Sequence, residues 1–187
     1  MPLNLIETIH KRFSCRGFTD KIPSDDDLKV IAEAGVAAPS GMNRQLWRVI
    51  VLKNKELIDD LEAEGLKNLA AFPELYSHIM SRDGKLFYNA SCMIVIPIGK
   101  TEPPGAELFD CGIIAENIAL AATSTGIDNL ICGITAFSFA GDRNDEFKRR
   151  LGFPDGFEIG LAVLLGYAAK ADGKPHEPDY SKISYIE

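Results

Sequence analysis

The chain has 187 residues, 46% hydrophobic and 25% charged; that suits one globular domain over residues 1–187 with a core needing neither disulfides nor metal. A formal net charge of −7 and a pI near 5.0 argue against a nucleic-acid partner, and the longest apolar runs, Cys92 to Ile98 and Leu161 to Leu165, are too short to span a membrane. Cys15, Cys92, Cys111 and Cys132 form no Cys-x-x-Cys pair and the N-terminus carries no leader pattern, so reduced cysteines, no zinc or redox dithiol and a cytoplasmic setting are expected.

Asn4 stands where a cap would, with Glu7 at the capping-box position, and Leu5, Ile6 and Ile9 give an apolar face to a first helix ending near Phe13. Arg12-Phe13-Ser14-Cys15-Arg16 follows, two guanidinium groups and a hydroxyl within five residues. Arginine offers a planar fork of donors that matches a phosphate. The same spacing also suits a solvated basic patch, and both readings stand at this point. Ser24-Asp25-Asp26-Asp27 caps a second helix whose buried side is Leu28, Ile31, Ala32 and Gly35. That helix delivers the loop Ala37 to Trp47. There Pro39 disfavours helix at Ala38, Gly41 permits unusual dihedrals, and Ser40, Asn43 and Gln45 place a hydroxyl and two amides. Such a loop either hydrogen-bonds a flat polar ligand or simply joins two elements.

Arg48 to Lys53 reads as a strand and Lys55 to about Glu64 as a helix. Gly65 to Lys85 reads as irregular and apolar, either an excursion packed on its own domain or a lid insertion over residues 65–85. Ser91 to Ile98 is a core-type strand, and Pro103, Pro104 and Gly105 make a turn. The long helix from about Ala106 to Thr125 has a small-residue stripe, Gly112, Ala115, Ala119 and Ala122, that suits the centre of a fold or a subunit interface. Asn129 to Thr135 is a short strand, Asp142 caps a helix ending near Gly152, and Phe157 to Tyr167 is the last strand. The tail, 168–187, either crosses the surface or embraces a partner subunit. This alternation supports an α/β or α+β sandwich. His10, His78 and His176 are too scattered for a metal site, and no dinucleotide, P-loop, zincin or serine-hydrolase motif occurs.

Together, Arg12 to Arg16 and Ala38-Pro39-Ser40-Gly41-Met42-Asn43-Arg44-Gln45-Leu46-Trp47 resemble the two N-terminal signatures of the FMN-dependent nitroreductase family. Leu86-Phe87-Tyr88-Asn89-Ala90-Ser91, Asp110-Cys111-Gly112, Gly126-Ile127 and Leu151-Gly152-Phe153-Pro154 before Gly166-Tyr167 resemble its later landmarks, so nearly the whole chain is covered. The resemblance implies an α+β fold around a mainly antiparallel sheet covered by helices, and an intertwined homodimer with two interfacial FMN sites.

Carried over by position, the resemblance implies that Arg12, Ser14 and Arg16 hold the FMN phosphate, completed by Lys174 and His176. It implies that Pro39, Ser40, Gly41, Asn43 and Gln45 of the other subunit flank the ring and ribityl chain, and that Ile131, Cys132 and Gly133 lie along one ring face. The chain departs from the family pattern at Phe13, Leu46 and His176, where a basic residue, a proline and an arginine are usual. The first and third departures lower the positive charge around the phosphate. The implied activity is ping-pong transfer of reducing equivalents from NADH or NADPH through FMN to a nitroaromatic, a quinone or a related small-molecule acceptor, with no side-chain nucleophile. The alternative is a flavin-binding sensor or carrier on the same scaffold.

Overall fold

Residues 4–102, 104–170 and 173–187 are described by the structure, a computed structural model. Pro103 of the expected turn and the first three residues lie outside that range. Helix α1, Leu5–Lys11, starts from the expected capping box: Asn4 Oδ1 accepts the Glu7 N–H at 3.0 Å, and Glu7 Oε2 accepts the Asn4 N–H at 3.2 Å. Ser24 Oγ likewise accepts the Asp27 N–H at 3.1 Å and opens α2, Asp25–Val36. Both caps satisfy amides that the first helical turn leaves without partners.

Four strands form one antiparallel sheet in the order β1, β2, β4, β3: Ile50–Leu52, Cys92–Ile98, Glu158–Gly166 and Asp128–Cys132. Each residue of β2 is buried. Its apolar run does not alternate because both faces meet helices. Ile94 and Ile96, with Val163 and Leu165 of β4, pack toward α2 and toward α5, Ala106–Ser124. Met93 and Val95, with Ala162 and Leu164, pack on the opposite side with α3, Lys55–Leu69, and α6, Asn144–Leu151. The register shifts between Ile96 and Pro97, where proline has no N–H to donate to the ladder. The result is an α+β arrangement with helices on both faces of the sheet. Among the described residues no helix is long and apolar enough to cross a membrane.

Three local expectations are corrected. Helix α3 runs on to Leu69, and α4, Pro73–Met80, follows, so residues 65–85 are largely helical instead of irregular. Gly65 does not break α3, because its missing side chain is what lets the helix pack: a Cβ there would meet Leu86 Cδ1 at 2.7 Å and Ser138 Oγ at 2.9 Å. Strand β3 ends at Cys132, and Gly133–Phe139 coils into a 3-10 segment in which Thr135 Oγ1 donates to Cys132 O at 2.8 Å. Asp142 does not cap α6. Arg143 occupies the cap position without a side-chain capping bond, its guanidinium drawn to Asp60 of α3 and to Glu146.

Candidate active site

The Arg12–Arg16 segment is not a free surface patch. Ser14 forms a parallel bridge with Asn129, and the Cys15 N–H donates to Asn129 O at 2.9 Å, so the segment lies alongside β3. The Phe18 N–H donates to Tyr88 O at 3.0 Å, and the Ala169 N–H to Gly17 O at 2.9 Å. Residues 14–18 are thereby clamped between β3, the loop before β2 and the segment after β4.

These segments enclose a cavity of about 460 Å³ whose polar lining includes Ser14, Arg16, Asp83, Asn89, Lys170 and Lys174. Three cationic side chains against one carboxylate make a surface suited to a phosphate-sized anion. The loop over residues 83–89 has its own supports. Asp83, Tyr88 and Asn89 sit at φ of 67°, 51° and 62°, and Glu62 Oε1 accepts the Phe87 N–H at 2.6 Å. Phe13, which the sequence pattern treats as a lost cation, packs against the tail. A Cβ on Gly173 would fall 2.1 Å from Phe13 Cε2, so glycine is what permits the approach that brings Lys174 to the cavity.

A smaller cleft of about 200 Å³ adjoins, lined by Ile131, Cys132 and Gly133 together with Leu86, Ile79 and Arg82. Arg16 lines both spaces. The site therefore has a cationic end and a mainly apolar end that also carries Arg82, with the Arg16 guanidinium shared between them. The two thiols at the site are neutral near pH 7. Burial, aided by the negative charge of Asp128, pushes Cys15 up to about 11, and burial does the same for Cys132. Neither is a thiolate nucleophile.

Not every expected residue reaches these spaces. Arg12 lines neither of them; its Nε lies 3.7 Å from Glu116 Oε1 on α5. His176 is exposed and lines neither. The loop carrying Pro39, Ser40, Gly41, Asn43 and Gln45 is mostly exposed, and none of these residues lines either space. It is tied instead to α5, where Asp110 Oδ1 accepts the Gly41 N–H at 3.0 Å. Among the described residues no cluster of three or more His, Cys, Asp or Glu could hold a metal.

The model of the Nitroreductase family matches residues 9–167, most of the chain. The chain belongs to the nitroreductase family. It is similar to a nitroreductase with bound FMN from Desulfitobacterium hafniense DCB-2, with 53% identity, a TM-score of 0.94 and 100% of both chains covered. A nitroreductase with bound FMN from Bacteroides fragilis NCTC 9343 is 27% identical, with a TM-score of 0.86 over 99% of this chain and 100% of that one. The FMN reductase (NADPH) of Bacillus subtilis (strain 168) is 25% identical over 194 residues, covering 97% of this chain and 74% of the relative.

Several residues of this nitroreductase-family site have no role in the sequence reading. Asn89 and Tyr88 fall in a stretch that resembles a family landmark, yet nothing local says that Asn89 shares the cation-lined cavity with Ser14 or that Tyr88 lines the smaller cleft. Asp110 falls in another, and its partner Gly41 is 69 residues away. Arg82 and Lys170 carry no sequence signal beyond their charge.

Proposed function

We propose that the protein is an FMN-dependent oxidoreductase that takes a hydride from NADH or NADPH and reduces a nitroaromatic, a quinone or a related acceptor. The observation that carries this reading is the sharing of Arg16 between a cation-lined cavity and an apolar cleft. That pairing matches a molecule with a phosphate at one end and a flat ring at the other, and 53% identity to an FMN-bound structure supports it. When bound, FMN supplies the hydride chemistry.

The chain's own residues hold, orient and shield. Ser14, Arg16, Lys170 and Lys174 offer donors to the phosphate. Arg12 joins them only by giving up Glu116, and His176 only by a movement of the tail. Arg16 and Arg82 set positive charge beside the cleft, an electrostatic environment that favours reduction of a group lodged there. Ile131, Cys132 and Gly133 cover one face of a ring and leave the other to reactants. Donor and acceptor then use that face in turn, which gives ping-pong kinetics. The 65–85 segment acts as the substrate-side wall, since Ile79 and Arg82 reach the cleft from α4 and just beyond it.

A homodimer completes the site. The Pro39–Gln45 loop of a second copy is the natural source of amides beyond the Asn89 that this chain's cavity supplies. Leu5, Ile6 and Ile9 of α1 and Leu108, Phe109 and Ile113 of α5 are exposed apolar residues that a second subunit would cover. Four buried reduced cysteines suit the cytoplasm.

The test is a visible spectrum of apoprotein mixed with FMN and desalted, followed by anaerobic NADH and then NADPH. Retained flavin that bleaches is the expected result. Flavin that stays oxidised with both donors would favour a sensor or carrier, and failure to retain flavin would refute the reading.

A further inference from the structure

The Ser40–Gln45 loop holds a backbone that its sequence does not favour. Met42, Asn43 and Gln45 have φ of 55°, 53° and 50°, three non-glycine residues in the left-handed region within four positions. Asparagine tolerates that region, whereas methionine and glutamine meet Cβ crowding there. Such a conformation persists where its surroundings over-determine it.

Three ties do so. Ser40 Oγ accepts the Gln45 N–H at 3.0 Å, and Arg44 Nη1 donates to Glu102 O at 3.0 Å, both in exposed surroundings. The third comes from the protein interior. Asp110 on α5 is only 9% exposed, and its two carboxylate oxygens lie 3.0 and 3.4 Å from the Gly41 nitrogen. The next residue, Cys111, is a buried member of the apolar core, as are Ile114 and Ala115 one turn on. A carboxylate at such a position is costly unless it is hydrogen-bonded, and among the described residues Gly41 is its hydrogen-bond partner.

We infer that Asp110 is a positioning residue: by pinning the Gly41 N–H it holds the Asn43 and Gln45 amides in the arrangement that meets the flavin. The inference rests on the flavin reading above. Gln45 Nε2 donates to Asn43 Oδ1 at 2.8 Å, so the two amides are presented as one unit. Among the described residues, Asn43 Nδ2 and Gln45 Oε1 have no hydrogen-bond partner, which leaves a donor and an acceptor side by side on a loop whose shape Asp110 maintains.

Asp110→Ala, Asp110→Asn and Gly41→Pro test this together. Asn keeps an acceptor oxygen toward Gly41. Proline removes the N–H from the loop side while leaving the Asp110 side chain and its core neighbours in place, at a turn-opening position preceded by an extended Ser40 at φ −135° and ψ 155°. Hydrogen exchange of the peptide spanning residues 39–47 is measured in the apoprotein, and FMN affinity is measured by fluorescence quenching. A lost N–H to carboxylate bond should speed exchange and weaken FMN about tenfold in Asp110→Ala and in Gly41→Pro. Asp110→Asn should restore both to near the wild-type values. Wild-type exchange in Gly41→Pro, or in an Asp110→Ala protein that melts normally, would overturn the positioning role. An unprimed loop with unchanged FMN affinity would overturn its link to the flavin. Failure of wild-type protein to bind FMN would instead overturn the flavin reading, whatever the exchange data show.

Discussion

Replacing Arg16 by alanine separates ligand binding from folding. The guanidinium is exposed, and its described hydrogen bond is a long one, 3.4 Å from Nη1 to Ser14 O. Its loss should therefore change folding stability by no more than about 0.5 kcal/mol, as for an ordinary surface position. Toward a phosphate the same group is worth more. A hydrogen bond to a charged group contributes about 1.5–3 kcal/mol, which converts to a rise in the FMN Kd of about tenfold to a hundredfold. Arg16→Lys keeps the charge but loses the planar fork, so its Kd should fall between wild type and alanine. Arg12→Ala is the internal comparison. Its guanidinium is engaged by Glu116 at 3.7 Å and lines neither cavity, so FMN binding should suffer less than in Arg16→Ala. The assay is FMN fluorescence titration of apoprotein at fixed ionic strength, with urea unfolding of each variant alongside. An Arg16→Ala Kd within twofold of wild type, or a larger effect from Arg12→Ala, would refute the reasoning.

Gly173→Ala should weaken FMN about three- to tenfold with little change in melting, because the added Cβ collides with Phe13 at 2.1 Å and lifts Lys174 from the cavity, costing one charged contact; unaltered affinity would show that Lys174 is not seated this way. Asp60 predicts an acid-dependent stability: Arg143 first and Arg150 second hold its carboxyl down, from an ordinary value of 3.8 to about 2. A lowered carboxyl contributes fully above its unfolded pKa and loses that contribution as pH falls through the folded one. Asp60→Asn should cost about 1 kcal/mol near pH 7, and the difference from wild type should fade between about pH 4 and pH 2 in urea unfolding. A difference that persists unchanged at pH 2 would count against the ion-pair origin.

Features set by neighbours three or four residues apart were legible from the chain alone. The capping box at Asn4 and Glu7 and the Ser24 cap form as their spacing requires. Strand β2 was legible because an apolar run buried on both faces needs no alternating pattern. The helical continuation through Gly65 was not legible, because it depends on Leu86 and Ser138 packing into the glycine's empty side-chain space, and both lie far along the chain. Asp142 misled because capping competes with longer-range pairing, and Arg143 is drawn across the fold to Asp60.

The chain by itself offered candidate groups for a site. An arginine-serine-arginine cluster, a Pro-Ser-Gly loop with two amides and a resemblance running nearly end to end pointed to FMN and to an α+β fold. What only the tertiary structure decided is which of those groups share a space. The bridge of Ser14 to Asn129 turns Arg16 into both cavities while Arg12 meets Glu116. Asp83, Asn89, Lys170 and Lys174 converge from two distant segments, and Asp110 reaches back 69 residues to fix Gly41. Residue type and local spacing determine what a side chain can bind, whereas direction depends on strand pairing and packing between segments far apart in the chain, which no local pattern encodes.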